Sequence, residues 1–185
     1  MKRRERKDIR RGAVRREMSV RPVRCHVTCM DAMSPSTVTA ARKTQGGWAL
    51  PAEIGKHSRR VDKALPGKHT RKLYDAMTAA QARVLAQLRT GKIRLNSYLH
   101  KIGAAASGGC LCGHSAETVD HFLFRCTRWI AQRVEMQRKT GTGTGCLSFH
   151  LGGKAPSDPD QWTPDMSAVQ ATIKYTMATK RLDEQ

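Results

Sequence analysis

The apolar residues follow a helical period only from about residue 69 onward. Between residues 69 and 90 they recur every three or four positions, which predicts one helix with an apolar face. That face comprises Leu73, Met77, Ala80, Val84 and Leu88. Thr70 is a suitable N-cap for this helix, and Gly91 is a suitable residue at its C-terminal end.

The same periodicity predicts three more helices downstream. A short helix spans about 95–102 and a longer one spans 127–139. The last begins near Pro164, with Thr163 as its N-cap. Between the last two helices, the glycine-rich run 141–145 predicts a linker, and 147–151 fits a short extended segment. The expected apolar positions are Leu95, Tyr98, Leu99 and Ile102 in the first helix, Ile130, Val134 and Met136 in the second, and Met166, Val169, Ile173 and Met177 in the third.

The chain is strongly basic, with 34 Lys and Arg against 15 Asp and Glu and a formal net charge of +19. The excess ends abruptly, since residues 140–185 carry 4 basic and 5 acidic side chains. A polyanion such as RNA or DNA gains free energy by releasing counterions against such a surface. We therefore expect contact with nucleic acid; the alternative is a solvated charged surface with no dedicated partner.

Three cysteines and a histidine follow one another in the pattern C-x-C-x8-H-x4-C. They are Cys110, Cys112, His121 and Cys126. Zinc prefers four thiolate or imidazole ligands in a tetrahedron, and Gly113 permits the tight turn that two closely spaced cysteines require. Four protein ligands leave no position for a reactive water, so we expect a structural Zn²⁺ ion. Its net charge with these ligands would be −1, which Arg125 and Arg128 are placed to offset.

Other interpretations of the cysteines and histidines stay open at this point. A small buried thiol or a hydrogen-bonded core histidine would explain any one of the four residues alone. His114 is a rival ligand, although its position just after the second cysteine would strain the loop. The run from Cys25 to Cys29 resembles half a metal site without a second half, and Cys146 fits a packed or free thiol.

These features predict a mainly α protein, a small helical domain around a zinc knuckle with a disordered basic N-terminal arm and a C-terminal helix. Residues 1–68 form the arm, because they lack an apolar period and contain several prolines. Residues 69–140 form the zinc-knuckle domain, 141–163 a Gly/Pro-rich linker and 164–182 the final helix.

The arm carries two clusters, Lys2-Arg3-Arg4 and Arg10-Arg11, that are typical of nuclear-localisation or phosphate-binding sequences. A solvated tail is the alternative. The chain has no apolar run long enough to cross a bilayer and no secretory signal. We therefore expect an intracellular protein, with the nucleus as a candidate compartment, and no membrane partner.

Four segments match a known pattern: LYDA at residues 73–76, LAQLRTG at 85–91, RLNSYLHKIGA at 94–104 and ETVDHFLFRC at 117–126. Together with FHLGGK at 149–154 and WTP at 162–164, they cover about residues 65–182. This part of the chain resembles the C-terminal region of non-LTR (LINE-type) retrotransposon polyproteins of fungal genomes, which follows their reverse transcriptase and RNase H domains. Thr127 stands where that family often has proline.

The resemblance implies an accessory nucleic-acid-binding region, with the family's cysteine–histidine motif on the four residues above. The paired aspartates of a polymerase are absent from the sequence, and no four-carboxylate RNase H constellation can be assembled. We therefore expect no enzymatic activity. Residues 1–64 match nothing in that family, so a truncated remnant of the element without a function is an alternative.

The expected function is that of a zinc-stabilised module that binds RNA or DNA. A second hypothesis is a packing module whose apolar helix faces dock on a reverse transcriptase or RNase H domain. The residues expected to contact nucleic acid are Arg83, Arg89, Lys92, Arg94, Lys101, Arg125 and Arg128.

Overall fold

The computed structural model describes residues 54–64, 68–75, 77–141, 145–155 and 157–183. Over these ranges the chain is mainly α-helical, as predicted, and contains no β-strand. None of the described helices is long and apolar enough to span a membrane. The predicted arm up to residue 53, with its basic clusters and Cys25 and Cys29, lies outside the described residues. The helices are α1 Lys56–Val61, α2 Lys68–Asp75, α3 Ala79–Thr90, α4 Asn96–Lys101, α5 Ile130–Thr140, α6 Leu147–His150 and α7 Met166–Ala178, with a π-helical turn His121–Arg125 and a 3₁₀ turn Thr127–Trp129 before α5.

The single helix predicted over residues 69–90 is two helices, α2 and α3. Thr78 has an extended backbone and its side chain accepts a hydrogen bond from the Gln81 amide at 3.3 Å. The Gln81 side chain in turn accepts from the Thr78 amide at 3.0 Å. This capping box starts a new helix at Ala79, so the predicted N-cap at Thr70 is wrong for α3. The C-terminal end at Gly91 is as predicted, with φ of 70° in the left-handed region.

Residues 54–64 belong to the folded core, which corrects the prediction that the arm extends to residue 68. Val61 at the end of α1 is fully buried, and Asp62 is only 3% exposed. The Asp62 carboxylate accepts hydrogen bonds from Arg89 of α3 at 2.6 Å and from His69 of α2 at 2.9 Å. Because a buried carboxylate must be paired, this cluster joins the first three helices.

The predicted linker 141–163 also contributes to the core. Residues 147–150 form the helical turn α6, where the sequence pattern predicts an extended segment, and Leu147 and Leu151 are buried. Gly153 then passes directly against α1, since a Cβ atom there would lie 1.7 Å from the carbonyl oxygen of Val61. Glycine is therefore required at this crossing.

Helix α7 packs along α5 and is part of the same core. It begins one residue after Asp165, whose side chain accepts a hydrogen bond from the Ala168 amide at 3.0 Å, so the predicted N-cap at Thr163 is wrong. Val169 and Ile173 are buried as predicted. The C-terminal helix is thus a structural element of the domain rather than a separate unit.

The apolar faces predicted for three helices are only partly right. Ile130 and Val134 of α5 are more than half exposed, whereas Met136 is buried as predicted. Ile102, just beyond α4, and Met177 of α7 are also exposed. In α5 the side chain of Arg133 points into the core. The buried face of this helix therefore includes Arg133 and Met136, and Ile130 and Val134 lie on the exposed side.

Candidate metal centre

Cys110 and Cys112 lie on a tight loop that follows α4. The Cys110 amide donates to the carbonyl of His114 at 2.8 Å, and the Gly113 amide donates back to the carbonyl of Cys110 at 2.9 Å. Gly113 has φ of 91°, a conformation that side chains with a Cβ rarely adopt. The glycine therefore lets the loop turn sharply enough to present two thiols in the same direction.

His121 and Cys126 are brought together by the π-helical turn. On a regular α-helix, residues five positions apart point about 140° away from each other. Here the Cys126 amide donates to the carbonyl of His121 at 2.8 Å, which is the wider i to i+5 hydrogen bond of a π-helix. The widened turn places both side chains toward the loop of Cys110 and Cys112.

The four predicted ligands converge on one point. Their ligand atoms all lie within 4.8 Å of one another. The Cys110 and Cys126 sulfurs are 3.6 Å apart, and the Cys112 sulfur is 3.2 Å from Nε2 of His121. A tetrahedral ion with metal–sulfur bonds of about 2.3 Å requires edges of roughly 3.5–3.8 Å between its ligands. The cluster can therefore hold a metal ion through three sulfurs and one imidazole nitrogen.

The protonation of the thiols is set by their surroundings. Burial raises the pKa of Cys110 to about 12, so this thiol releases its proton only to a strong competitor such as a metal cation. A hydrogen bond from the His114 backbone holds the pKa of Cys112 below its usual value. Burial also lowers the pKa of His121, which keeps its imidazole neutral and able to donate a lone pair to a metal.

His114 is not one of the four converging residues but supports one of them. Its ring stacks on that of His121, with 4.2 Å between the centroids and 21° between the planes. Within the described part of the chain, the buried Nδ1 atom of His121 has no hydrogen-bond partner. Metal-bound histidines are usually oriented by such a partner. In this protein the His121 ring is in contact with the stacked His114 ring instead.

A buried ion pair between Glu117 and Arg181 lies next to the loop that carries Cys110. Arg181, just beyond α7, donates to both carboxylate oxygens of Glu117, at 2.9 and 2.6 Å. The backbone N–H of Asn96, at the start of α4, donates to the same carboxylate at 2.8 Å. The Cys110 sulfur lies 3.9 Å from Glu117. The sequence pattern predicts no role for Glu117 or Arg181 at this site, because the two partners are 64 positions apart in the chain.

Two further contacts tie the π-helical turn to α5 and α7. The buried guanidinium of Arg133 donates to the carbonyl of Leu123 at 2.9 Å and to that of the candidate ligand Cys126. The Tyr175 hydroxyl donates to the carbonyl of Phe122 at 2.6 Å. Arg133, rather than Arg125 or Arg128, is thus the positive charge bonded to the ligand-bearing turn, since the latter two are exposed and Arg128 lies over the ring of Trp129.

The residues predicted to contact nucleic acid do not all lie at the surface. The prediction that Arg89 contacts nucleic acid is wrong, because its side chain is only 7% exposed. It donates hydrogen bonds to Asp62 and to two backbone carbonyls and is part of the core. Lys92 and Lys101 line one cleft together with Lys56 and Arg60 of α1, which sequence reasoning had placed in the arm. The other predicted contacts are exposed and do not line that cleft; they are Arg83, Arg94, Arg125 and Arg128.

Comparison with known proteins found no relative of this chain. No family model, no curated protein and no solved structure matches the chain.

Proposed function

We propose that the protein is a zinc-stabilised module that binds nucleic acid and has no catalytic activity of its own. The observation that carries the proposal is the convergence of Cys110, Cys112, His121 and Cys126 within 4.8 Å. Three sulfurs and a nitrogen in a tetrahedral arrangement are the preferred environment of Zn²⁺. The protein supplies all four positions, so the ion would be structural.

The charge of the chain supports nucleic acid as the partner. The formal net charge is +19, and most basic side chains of the described residues are exposed. Such a surface binds phosphates by releasing counterions, independently of base sequence. The segments that resemble the C-terminal region of LINE-type polyproteins agree with this function, and on that hypothesis a reverse transcriptase or RNase H domain would be a further partner.

A second candidate function is docking on another protein. Ile130, Val134 and Met177 are exposed on α5 and α7, and these helices border a cavity of about 310 Å³ whose lining is largely apolar. A largely apolar cavity that is open at the surface is typical of interaction sites. Docking through them would depend little on salt, whereas phosphate contacts depend on it steeply.

The test combines metal content with oligonucleotide binding. The protein purified from zinc-supplemented medium should contain one zinc ion per chain by elemental analysis. It should bind labelled oligonucleotides with an affinity that falls steeply with salt, and a strong chelator should remove the ion and weaken binding. A chain that carries no zinc, or that fails to bind any oligonucleotide at low salt, contradicts the proposal and favours protein docking.

A further inference from the structure

A cleft of about 650 Å³ lies between α1, α4 and the segment just before the π-helical turn. Its position follows from three contacts. His57 of α1 bonds the carbonyl of Leu88 in α3 at 2.7 Å, and Arg60 of α1 pairs with Asp120 at 2.9 Å. On the other side, α4 is bonded to Glu117 through Asn96. These contacts hold the three elements around an open space.

The charge of this cleft is positive because its acidic side chains are already paired. Four basic side chains line it, those of Lys56, Arg60, Lys92 and Lys101. The two acidic side chains of the lining are Glu117, which binds Arg181, and Asp120, which binds Arg60. Among the described residues, neither Lys92 nor Lys101 has a carboxylate partner, and both are exposed. The uncompensated ammonium groups favour an anionic ligand.

The rest of the lining suits a nucleotide rather than a bare phosphate. Tyr98 of α4 is half-buried in the wall and offers an aromatic ring on which a base can stack. Ser58, Ser97 and Thr118 add hydroxyl groups that can bond phosphate or base edges. The volume is within the range of roughly 300–1,000 Å³ typical of ligand-binding clefts. Only a strand with unpaired bases can place a base inside such a concavity.

We infer that this cleft is the binding site for a single strand of nucleic acid, with Lys92 and Lys101 on its phosphates and Tyr98 stacked on a base. The inference rests on the proposed function. It makes that function more specific, since it names the binding site and states that the nucleic acid bound there is single-stranded. It also gives the candidate metal centre a role in binding the strand, because cleft residues 117–120 directly precede the candidate ligand His121. Folding of the knuckle around the ion would shape one wall of the cleft.

The experiment uses the full chain loaded with zinc and labelled oligonucleotides of about 12 nucleotides, as RNA, single-stranded DNA and duplex DNA. The cleft variant is Lys92→Glu with Lys101→Glu. The matched control is Arg71→Glu with Lys72→Glu, which makes the same change in net charge on exposed residues of α2 outside the cleft. Residues 1–53 carry 13 basic and 5 acidic side chains and bind anions in every variant, so the comparison between variants isolates the cleft.

The cleft variant should lose about tenfold in affinity for single strands, and its salt slope should fall by roughly 1.4, about 0.7 for each lost phosphate contact. The control should lose clearly less. Tyr98→Ala should weaken single-strand binding, while Tyr98→Phe, which keeps the ring, should not. Zinc content and helical circular dichroism establish that each variant is folded.

Each contrary result has a distinct meaning. If the cleft variant and the control lose affinity equally, the cleft is not the site, although the proposed function stands. If single strands and duplex weaken equally in the cleft variant, the assignment to single strands is overturned. If the unmodified protein binds none of the oligonucleotides, the proposed function itself fails.

Discussion

The hydroxyl of Tyr175 donates a hydrogen bond of 2.6 Å to the carbonyl oxygen of Phe122, across 53 positions of sequence. Phe122 directly follows the candidate ligand His121, so the contact anchors the π-helical turn to α7. The two rings also pack against each other, with 5.3 Å between their centroids. The geometry of the metal centre therefore depends on a helix that lies outside the cysteine-rich segment.

The ligand set can be tested with two cysteine substitutions. Cys126→Ser should abolish stoichiometric zinc binding and unfold the region around the knuckle, because zinc in structural sites contributes on the order of 10 kcal/mol to folding. Cys146→Ser is the matched control, since that thiol is half-buried and outside the cluster. Elemental analysis and thermal unfolding measure both effects. Equal zinc content in the two variants would remove Cys126 from the ligand set.

The stacked ring of His114 should tune the affinity for metal without being a ligand. His114→Ala should retain one zinc ion per chain but bind it about tenfold more weakly, as expected when a group that orients a ligand is removed. Ser115→Ala, at the next exposed position, should change nothing. Competition with a chromogenic chelator measures the affinities. Complete loss of zinc from His114→Ala would instead indicate that His114 coordinates the ion.

The buried pair of Glu117 and Arg181 should contribute far more to the free energy of unfolding than an exposed pair of the same type. Glu117→Gln removes the buried negative charge that two nitrogens of the Arg181 guanidinium bind, which should cost about 3–5 kcal/mol of the free energy of unfolding. The control is Glu135→Gln, which removes an exposed carboxylate paired with Arg138 and Lys139 on α5 and should leave stability unchanged. Urea denaturation compares the two. Similar stabilities would show that the Arg181 contact is dispensable.

The contact of Tyr175 with Phe122 should produce a stability difference that depends on pH. Burial raises the pKa of Tyr175 to about 12 in the folded protein, from about 10 in the unfolded chain. The stability that the protonated phenol contributes is therefore complete below pH 10 and is lost as the pH rises from about 10 to about 12.

At pH 8, Tyr175→Phe should lower the free energy of unfolding by about 1 kcal/mol, the contribution of one hydrogen bond. This difference from the unmodified protein should shrink as the pH rises above 10 and reverse in sign before pH 12, because phenylalanine does not ionise and a pKa raised by about two units outweighs one hydrogen bond. Parallel urea titrations at each pH cancel the ionisation of the other groups. A difference that stays constant with pH would contradict the burial of the tyrosine proton.

Local features of this protein follow from the sequence because their determinants are neighbours in the chain. The four converging residues span only residues 110–126, and Gly113 and Gly91 adopt the positive φ angles that their positions require. Buried positions of α7 follow its apolar period at Val169 and Ile173. The i to i+5 turn at His121 is the exception, since nothing in the apolar pattern distinguishes a π-helical turn from an α-helix.

Tertiary structure alone decided which charged residues are buried. Arg89, Arg133 and Arg181 resemble the exposed arginines in sequence, but each finds buried carbonyl or carboxylate partners. The carboxylate partners of Arg89 and Arg181 lie 27 and 64 positions away. Helices α1 and α6 have only six and four residues, too few for an apolar period to predict them. They meet where Gly153 passes against Val61, two residues that are far apart in the chain. Hydrophobic period and capping act over one or two turns, whereas burial of a charge depends on a partner that only the folded chain brings near.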